Sequence, residues 1–227
     1  MRRVRGNPRP GWQQTIESQG LVFGSPARDS NGAMRPYWDE SVHYEFDMDE
    51  VLSIEAQVEV LHSMCLKAVE NVILTERYAD FGIPEWAWGA IEESWKRQDP
   101  HVYGRFDLRY DGRRPPKLLE YNADTPTSIY ETAVFQWLWL EEQIAAGVLP
   151  ADADQFNSLQ EKLIDRFGEL REQFGFQLLH MACCRDTVED RGTVQYLQDC
   201  AAEAGVATEF LYIEDIGLGE KGQFTDL

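Results

Sequence analysis

Two short runs, RFDLR and KLLEYN, carry side chains that could bind a metal ion together. Side chains alternate between the two faces of a β-strand, so Arg105 and Asp107 point to one side, and Glu120 and Asn122 share a side of the second run. The intervening DGRRPP is typical of a turn, which would join the two runs as a hairpin. The predicted hairpin therefore gathers two carboxylates, an amide and a guanidinium on one face.

The opposite face of this hairpin is predicted to be apolar, with Phe106, Leu108, Leu119 and Tyr121. Mg²⁺ prefers oxygen ligands, commonly one or two carboxylates completed by water and nucleotide phosphates. A planar guanidinium can hold phosphate oxygens with two parallel hydrogen bonds, so Arg105 would suit a nucleotide beside the ion. The polar residues could instead form a solvated face with cross-strand ion pairs, and both interpretations stay open.

The hairpin sequence resembles the metal- and nucleotide-binding hairpin of the glutathionylspermidine synthase family, through R-F-D and K-L-L-E-Y-N-A-D-T-P-T. The resemblance covers most of the chain, through PYWDESVHYEF, LHSMCLKAVE, FNSLQEKLIDRFGELREQFGFQLLH and TVEDRGTVQYLQDCAAEAG. It implies an α/β fold: the N-terminal part of a permuted ATP-grasp ligase, with helices packed on the hairpin, and a Rossmann-like βαβ pre-ATP-grasp unit. The branch that it resembles most consists of acid–amine ligases without an amidase domain, so we expect no amidase activity.

The resemblance also implies residues that bind cofactors. Arg105, Phe106 and Asp107 would contact ATP, with Arg105 acting on its phosphates as the catalytic residue. Asp107, Glu120 and Asn122 would be the ligands of two Mg²⁺ ions.

Three further residues would form the substrate site by the same resemblance. Thr125 would contact the acid substrate, and Glu189 and Asp190 would contact the amine and acid substrates. Asp190 is shorter than the glutamate of the family, which leaves the identity of the substrates open. Thr125 before Pro126 is also a helix N-cap signal, and acidic residues also stabilise the first turn of a helix, so structural roles remain open for all three.

Apolar residues at three- to four-residue spacing predict four helices before residue 176. Asp47 or Asp49 would cap a long helix with a core-facing stripe that includes Val51, Val58 and Val69. The other three would begin at Pro84 with Trp88 as a packing residue, run from Thr125 to Ala145, and run from Asp154 to Gly175.

The last part of the sequence predicts a strand–helix–strand unit with a parallel crossover. FQLLHMAC would be a buried strand with His180 in the core, VEDRGTVQYLQDCAAEAG the helix, and ATEFLYI the second strand. Gly217 to Gly222 match G-x-G-x-x-G, but no helix-forming segment follows, so a hairpin turn with a return strand from Phe224 is expected instead. We predict two domains, 1–146 with the helices and the hairpin, and 147–227 with the α/β unit.

Composition excludes several classes of protein. The formal net charge of −19 disfavours nucleic acid and anionic lipid and favours cationic partners such as polyamines. No apolar run is long enough to span a bilayer, and no apolar stretch follows the basic start MRRVRGNPRP, so a cytoplasmic location is expected. The four cysteines lack C-x-x-C spacing, which argues against zinc, and Cys183 and Cys184 are expected to be buried thiols.

The first functional hypothesis is an ATP- and Mg²⁺-dependent carboxylate–amine ligase that forms an amide through an acyl phosphate. Its substrates would be a small acid and a polyamine-like amine. The resemblance implies that the C-terminal half of the ATP-grasp fold is missing, so the chain is expected to be an N-terminal portion that is inactive alone. The alternative hypothesis is a non-catalytic module that binds metal or polyamine or serves as an interaction domain.

Overall fold

A computed structural model describes residues 1–24, 26–28, 31–123, 127–220 and 222–226. The chain forms two compact units, Met1–Arg3 with Tyr44–Thr125, and Val4–His43 with Pro126–Leu227. The boundary predicted between residues 146 and 147 falls inside the second unit, and the assignment of domains 1–146 and 147–227 stays a prediction. No helix in the described part of the chain combines the length and the apolar character needed to cross a bilayer.

The described residues form a mixed α/β structure with small sheets. The helices are α1 (Trp12–Ser18), α2 (Met48–Leu74), α3 (Glu85–Arg97), α4 (Gln136–Ala145), α5 (Leu159–Phe174) and α6 (Val188–Glu203). Short 3₁₀ segments cover Arg77–Phe81 and Ile213–Asp215, and a π-helical segment, Glu131–Phe135, leads into α4. The strands are β1 (Arg2–Arg5), β2 (Pro26–Arg28), β3 (Met34–Pro36), β4 (Val42–Glu45), β5 (Arg105–Arg109), β6 (Lys117–Asn122), β7 (Leu178–Cys183), β8 (Ala207–Tyr212), β9 (Gly217–Leu218) and β10 (Phe224–Thr225). They pair two by two, β1 with β4, β2 with β3, β5 with β6, β7 with β8, and β9 with β10.

Asp47 caps α2 through a reciprocal pair of hydrogen bonds. Its carboxylate accepts from the backbone N–H of Glu50 at 2.8 Å, and the Glu50 side chain accepts from the backbone N–H of Asp47 at 3.2 Å. One of the two predicted caps is therefore confirmed. The apolar stripe of α2 is less buried than predicted, because no residue of α2 is fully buried and Val69 is exposed. A helix of 27 residues is about 40 Å long, and hairpin strands of five and six residues cannot cover it.

The short helix predicted after Pro84 is confirmed as α3, with Pro84 at its N-cap. Trp88 stacks on Tyr78, with 5.1 Å between the ring centroids, and donates its indole N–H to the carbonyl oxygen of Ile83 at 3.0 Å. Tyr78 is fully buried. Trp88 therefore is a packing residue, as predicted, and it covers the buried Tyr78.

The second unit contains most of the large buried apolar side chains. One cluster joins α1 to the π-helical segment through Ile16, Leu21 and Phe135, against which Phe23 and Trp38 pack. The apolar side of α5 is buried at Leu163, Phe167 and Leu170, as its spacing predicts.

Two helices of the second unit begin later than predicted. The helix expected from Thr125 begins at residue 129, because Ser128 has a left-handed backbone with φ of 70°. The predicted cap itself, Thr125, lies outside the described residues. The helix expected from Asp154 begins at Leu159, because the side chains of Gln155 and Asn157 donate to the carbonyl oxygen of Thr132 at 2.7 and 2.9 Å and hold that segment in a non-helical form.

The strand–helix–strand unit is confirmed, with β7 and β8 parallel and α6 between them in sequence. Two parallel strands and a helix occur in many α/β folds, so the Rossmann-like arrangement stays a prediction. The expectation that β7 is buried is wrong, since Leu178 is 42% exposed and His180 is exposed. A two-stranded sheet leaves alternate side chains facing solvent.

The cysteine prediction is half right. Cys183 is buried and burial raises the pKa of its thiol, whereas Cys184 is exposed, because the two adjacent residues face opposite sides at the end of β7. The hairpin expected after Gly217 is confirmed by the antiparallel pairing of β9 with β10.

Candidate metal and substrate sites

The β5–β6 hairpin brings the four predicted polar residues together. The strands are antiparallel, Arg105 is the direct partner of Asn122, and Asp107 is the direct partner of Glu120. Directly opposed side chains on one face have Cβ atoms about 4.5–5.5 Å apart. The side chains of Arg105, Asp107, Glu120 and Asn122, here called the hairpin face, therefore share one side, and this part of the prediction is confirmed.

A β-bulge changes the apolar side of the hairpin. Register shifts between Asp107 and Leu108, so Leu108 pairs with Leu118 and Leu119 is the extra residue. Leu119 is 68% exposed, and the prediction that it lies on the buried side with Leu108 is wrong. A prediction that assumes strict alternation of side chains cannot reveal a bulge, because the bulge adds one residue to one of the two strands.

Short-range contacts largely compensate the charges of the hairpin face. Arg105 Nε lies 3.1 Å from Asp107 Oδ1, and the two side chains are 35% and 42% exposed. With its amide oriented to suit both neighbours, Asn122 donates to Glu120 Oε1 at 2.9 Å and accepts from Arg105 Nη2 at 3.1 Å. Carboxylates directly opposite each other repel, and these contacts offset that repulsion while leaving one net negative charge.

Aromatic side chains support the hairpin from its other side. The rings of Phe106 and Tyr121 lie 4.1 Å apart between centroids, and the Tyr121 hydroxyl is 3.2 Å from Nδ1 of His62 on α2. A Cβ atom at Gly104 would lie 2.7 Å from the Tyr121 ring, so the chain approaches this ring as only glycine allows. The side chain of Phe106 points away from the hairpin face, and the predicted contact of Phe106 with ATP would involve its backbone.

The chemistry of the hairpin face fits a hard divalent cation. Asp107, Glu120 and Asn122 offer oxygen ligands from adjacent cross-strand pairs, which is the donor type that Mg²⁺ prefers. Arg105 beside them can turn from the Asp107 carboxylate toward phosphate oxygens. This fit rests on the oxygen atoms that the side chains offer and on the register of β5 with β6.

The predicted substrate residues Glu189 and Asp190 lie in the first turn of α6. Thr187 donates its hydroxyl to Asp190 Oδ2 at 2.7 Å, and the Tyr37 hydroxyl is 3.4 Å from Glu189 Oε1. Their position at a helix N-terminus agrees equally with a structural role. Thr125, the third predicted substrate residue, lies outside the described residues.

Glu131 is a residue of the second unit that the sequence analysis missed. It is 5% exposed, and one of its oxygens accepts a short hydrogen bond from the Tyr37 hydroxyl. The sequence signal is a single carboxylate in the otherwise apolar run of the helix that follows residue 128, four residues before the buried Phe135. Because residues four positions apart lie on the same face of a helix, Glu131 faces the interior with Phe135.

A separate group of three side chains lies on the β7–β8 sheet and after β10. His180 and Glu209 are register partners, and their ligand atoms and those of Asp226 all lie within 4.8 Å of one another. All three are exposed, and exposed groups of this kind are common without a metal ion. The prediction that His180 belongs to the core is wrong, and we assign this group, called the β7–β8 cluster, no function.

Comparison with known proteins identifies the family. Residues 3–227 match the glutathionylspermidine synthase pre-ATP-grasp family. The chain belongs to this family. The family membership predicted from the hairpin sequence is thereby confirmed.

Three relatives show how far the similarity reaches. A Haemophilus influenzae protein named "Putative acid--amine ligase" is 41% identical over 231 residues, covering 100% of this chain and 56% of that protein. Trypanothione synthetase of Crithidia fasciculata is 36% identical over 44% of this chain and 16% of its own length. The bifunctional glutathionylspermidine synthetase/amidase of Escherichia coli is 26% identical over 73% of this chain and 26% of its own length. The chain thus spans little more than half of the first relative and smaller parts of the others.

Proposed function

We propose that this chain forms the metal-binding and substrate-binding part of an ATP- and Mg²⁺-dependent carboxylate–amine ligase. The observation that carries the proposal is the register of β5 and β6, which sets Asp107 opposite Glu120 with Asn122 and Arg105 beside them, in a chain of this ligase family. The names of its relatives as acid–amine ligases and synthetases support the reaction class.

The residues of the hairpin face would have two roles. Asp107, Glu120 and Asn122 would hold Mg²⁺, which would supply positive charge between the nucleotide phosphates and the substrate carboxylate. Arg105 would leave Asp107 and bind phosphate oxygens with two hydrogen bonds, which orients the phosphoryl group for transfer.

Three further residues would contact the substrates. Glu189 and Asp190 would contact the amine and acid substrates, and Thr125 the acid. The permuted ATP-grasp fold, the Rossmann-like unit and a further half that binds the nucleotide are parts of the same proposal. The chain spans 56% of the acid–amine ligase relative, which leaves room for that half in a longer protein. A cytoplasmic location stays a prediction.

Loss of a metal ligand tests the proposal. Asp107→Asn, placed at the matching position of a full-length family member, should lower ADP release with an acid and an amine at least about 100-fold, because the site loses the negative charge of one of its two carboxylate ligands. The circular dichroism spectrum and melting temperature should remain near the wild-type values.

A matched control separates this effect from loss of any surface ion pair. Asp80 also pairs with an arginine, Arg77, at 2.7 Å, but lies outside the hairpin. Asp80→Asn should retain full activity. Turnover by Asp107→Asn at the rate of Asp80→Asn would reject the proposed metal role of Asp107.

A further inference from the structure

Tyr121 is closely packed on the side of the hairpin opposite the hairpin face. It stands between Glu120 and Asn122 in β6, and its ring lies 4.1 Å between centroids from that of Phe106, its register partner. A Cβ atom at Gly104 would lie 2.7 Å from the Tyr121 ring and 3.1 Å from its hydroxyl oxygen. The ring therefore has little room to move relative to the two strands.

A hydrogen bond joins Tyr121 to helix α2. Its hydroxyl oxygen lies 3.2 Å from Nδ1 of His62, and the two rings meet edge to face with 5.9 Å between centroids. The phenol donates when Nδ1 is unprotonated, and the imidazole donates when Nδ1 carries its proton. Either neutral form of His62 therefore ties the hairpin to the helix.

The hairpin depends on such an anchor because it has only two strands. Among the described residues, β5 and β6 pair with each other and with no third strand. A two-stranded hairpin is marginally stable, and a slip of one residue would turn every side chain of the strand to the other face. The bulge at Leu119 interrupts the pairing directly before Glu120, so three register pairs remain to hold Asp107 opposite Glu120. Contacts from outside the two strands must therefore help to fix this register.

We propose that His62 and Tyr121 are positioning residues of the metal site, which hold Glu120 and Asn122 in their register with β5. Because Tyr121 lies between these two residues in β6, fixing its ring fixes the backbone that directs both side chains. Neither His62 nor Tyr121 would touch the ion. This inference rests on the proposed function, because it concerns the ligands of that metal site.

The Mn²⁺ affinity of the 227-residue chain tests the positioning role. The dissociation constant is measured from the broadening of the amide signals of the hairpin face during a Mn²⁺ titration. Tyr121→Phe, which removes only the hydroxyl, and His62→Ala should each weaken Mn²⁺ binding about three- to tenfold, the factor that corresponds to one hydrogen bond. His62→Asn should restore most of the wild-type affinity, because its amide can donate to the phenol or accept from it near the position of Nδ1.

A double-mutant cycle shows whether the two residues act through their hydrogen bond. His62→Ala should weaken Mn²⁺ binding no further once Tyr121→Phe is present, because the bond is already lost. Equal weakening by His62→Ala in both backgrounds would overturn the inference.

A second hydrogen-bonded tyrosine of the first unit supplies the matched control. Tyr78 donates to Glu92 at 3.3 Å, and Tyr78→Phe should leave Mn²⁺ affinity unchanged. If His62→Ala fails to fold, the comparison of Tyr121→Phe with Tyr78→Phe decides alone. Equal Mn²⁺ affinity in these two tyrosine variants would overturn the positioning role.

The positioning role and the proposed function can be told apart when they fail. If Mn²⁺ broadens no hairpin signal of the wild-type chain, the metal site is wrong and the positioning role falls with it. If Mn²⁺ binds the hairpin with the same affinity in the wild type, Tyr121→Phe and His62→Ala, the positioning role is wrong and the metal site stands.

Discussion

The hairpin face and the group of Tyr37, Glu131 and Glu189 in the second unit hold carboxylates in opposite situations. On the hairpin face Asp107 is paired with Arg105 at 3.1 Å, and both side chains are more than a third exposed. In the second unit Glu131 is 5% exposed and accepts from the Tyr37 hydroxyl, which also lies 3.4 Å from Glu189 Oε1. The hairpin carboxylates are thus largely compensated before any ligand arrives, whereas Glu131 and Glu189 are not.

This difference shows what the hairpin face requires of its ligand. A cation at the hairpin face must displace Arg105 from Asp107, so it should bind weakly alone and more tightly when phosphates draw Arg105 away. By linkage, the cation should raise phosphate affinity by the same factor.

Substitution of Arg105 should change activity about as much as loss of the Asp107 carboxylate. Arg105→Lys in a full-length family member should lower turnover about 100-fold, which is less than the 10³–10⁵-fold typical of removing an arginine that stabilises phosphoryl transfer. Lysine keeps the charge but cannot make two parallel hydrogen bonds to phosphate. The rate of ADP release measures this effect, and a wild-type rate would reduce Arg105 to a surface ion pair.

A neutral residue at position 105 separates the ion pair with Asp107 from the proposed binding of phosphate. Arg105→Gln in the 227-residue chain should raise the affinity for Mn²⁺ alone a few-fold, because the guanidinium no longer competes for Asp107. Arg97→Gln, which removes a comparable arginine beside Asp99 at 2.7 Å, is the control and should have no effect. Weaker Mn²⁺ binding in Arg105→Gln would show that the hairpin carboxylates are not compensated as described. Equilibrium dialysis measures the Mn²⁺ affinity of both variants.

The two regions also differ in how far the sequence predicts them. Period-two alternation and a turn signal place four polar residues on one hairpin face, because local geometry decides this. The group of Tyr37, Glu131 and Glu189 joins residues that are 94 and 58 positions apart in sequence, and no local pattern specifies such contacts. The predicted burial of Leu119 is wrong because a β-bulge breaks the alternation of side chains. The predicted start of α5 is too early in the sequence because the side chains of Gln155 and Asn157 donate to the Thr132 carbonyl oxygen.

Glu131→Gln should stabilise the free chain. Its Oε2 is buried and receives no hydrogen bond from any described residue, so neutralising this carboxylate removes an unfavourable charge while the side-chain carbonyl can still accept from Tyr37. We expect the melting temperature to rise about 2–4 °C, the shift of roughly 1 kcal/mol in a chain of this size. A fall in melting temperature by differential scanning calorimetry would mean that Glu131 is fully compensated in the free protein.

The smallest expected effect concerns the free energy of unfolding at alkaline pH. The pKa of Tyr37 is raised in the folded state, so its contribution to the free energy of unfolding is complete below the unfolded pKa of about 10 and is lost as pH rises beyond it. Tyr37→Phe removes this contribution, and the variant should lose less stability than the wild type between pH 10 and 11. Urea unfolding across that range measures the difference, and equal slopes would contradict the raised pKa of Tyr37.

Paramagnetic broadening by Mn²⁺ tests the central claim most directly. Substoichiometric Mn²⁺ added to the isotope-labelled 227-residue chain should broaden the amide signals of the hairpin face first, and Asp107→Asn should abolish that broadening. Signals of the β7–β8 cluster should persist at the same Mn²⁺ concentration. Broadening centred on the β7–β8 cluster, or unchanged in Asp107→Asn, would contradict the assignment of the hairpin face as the metal site.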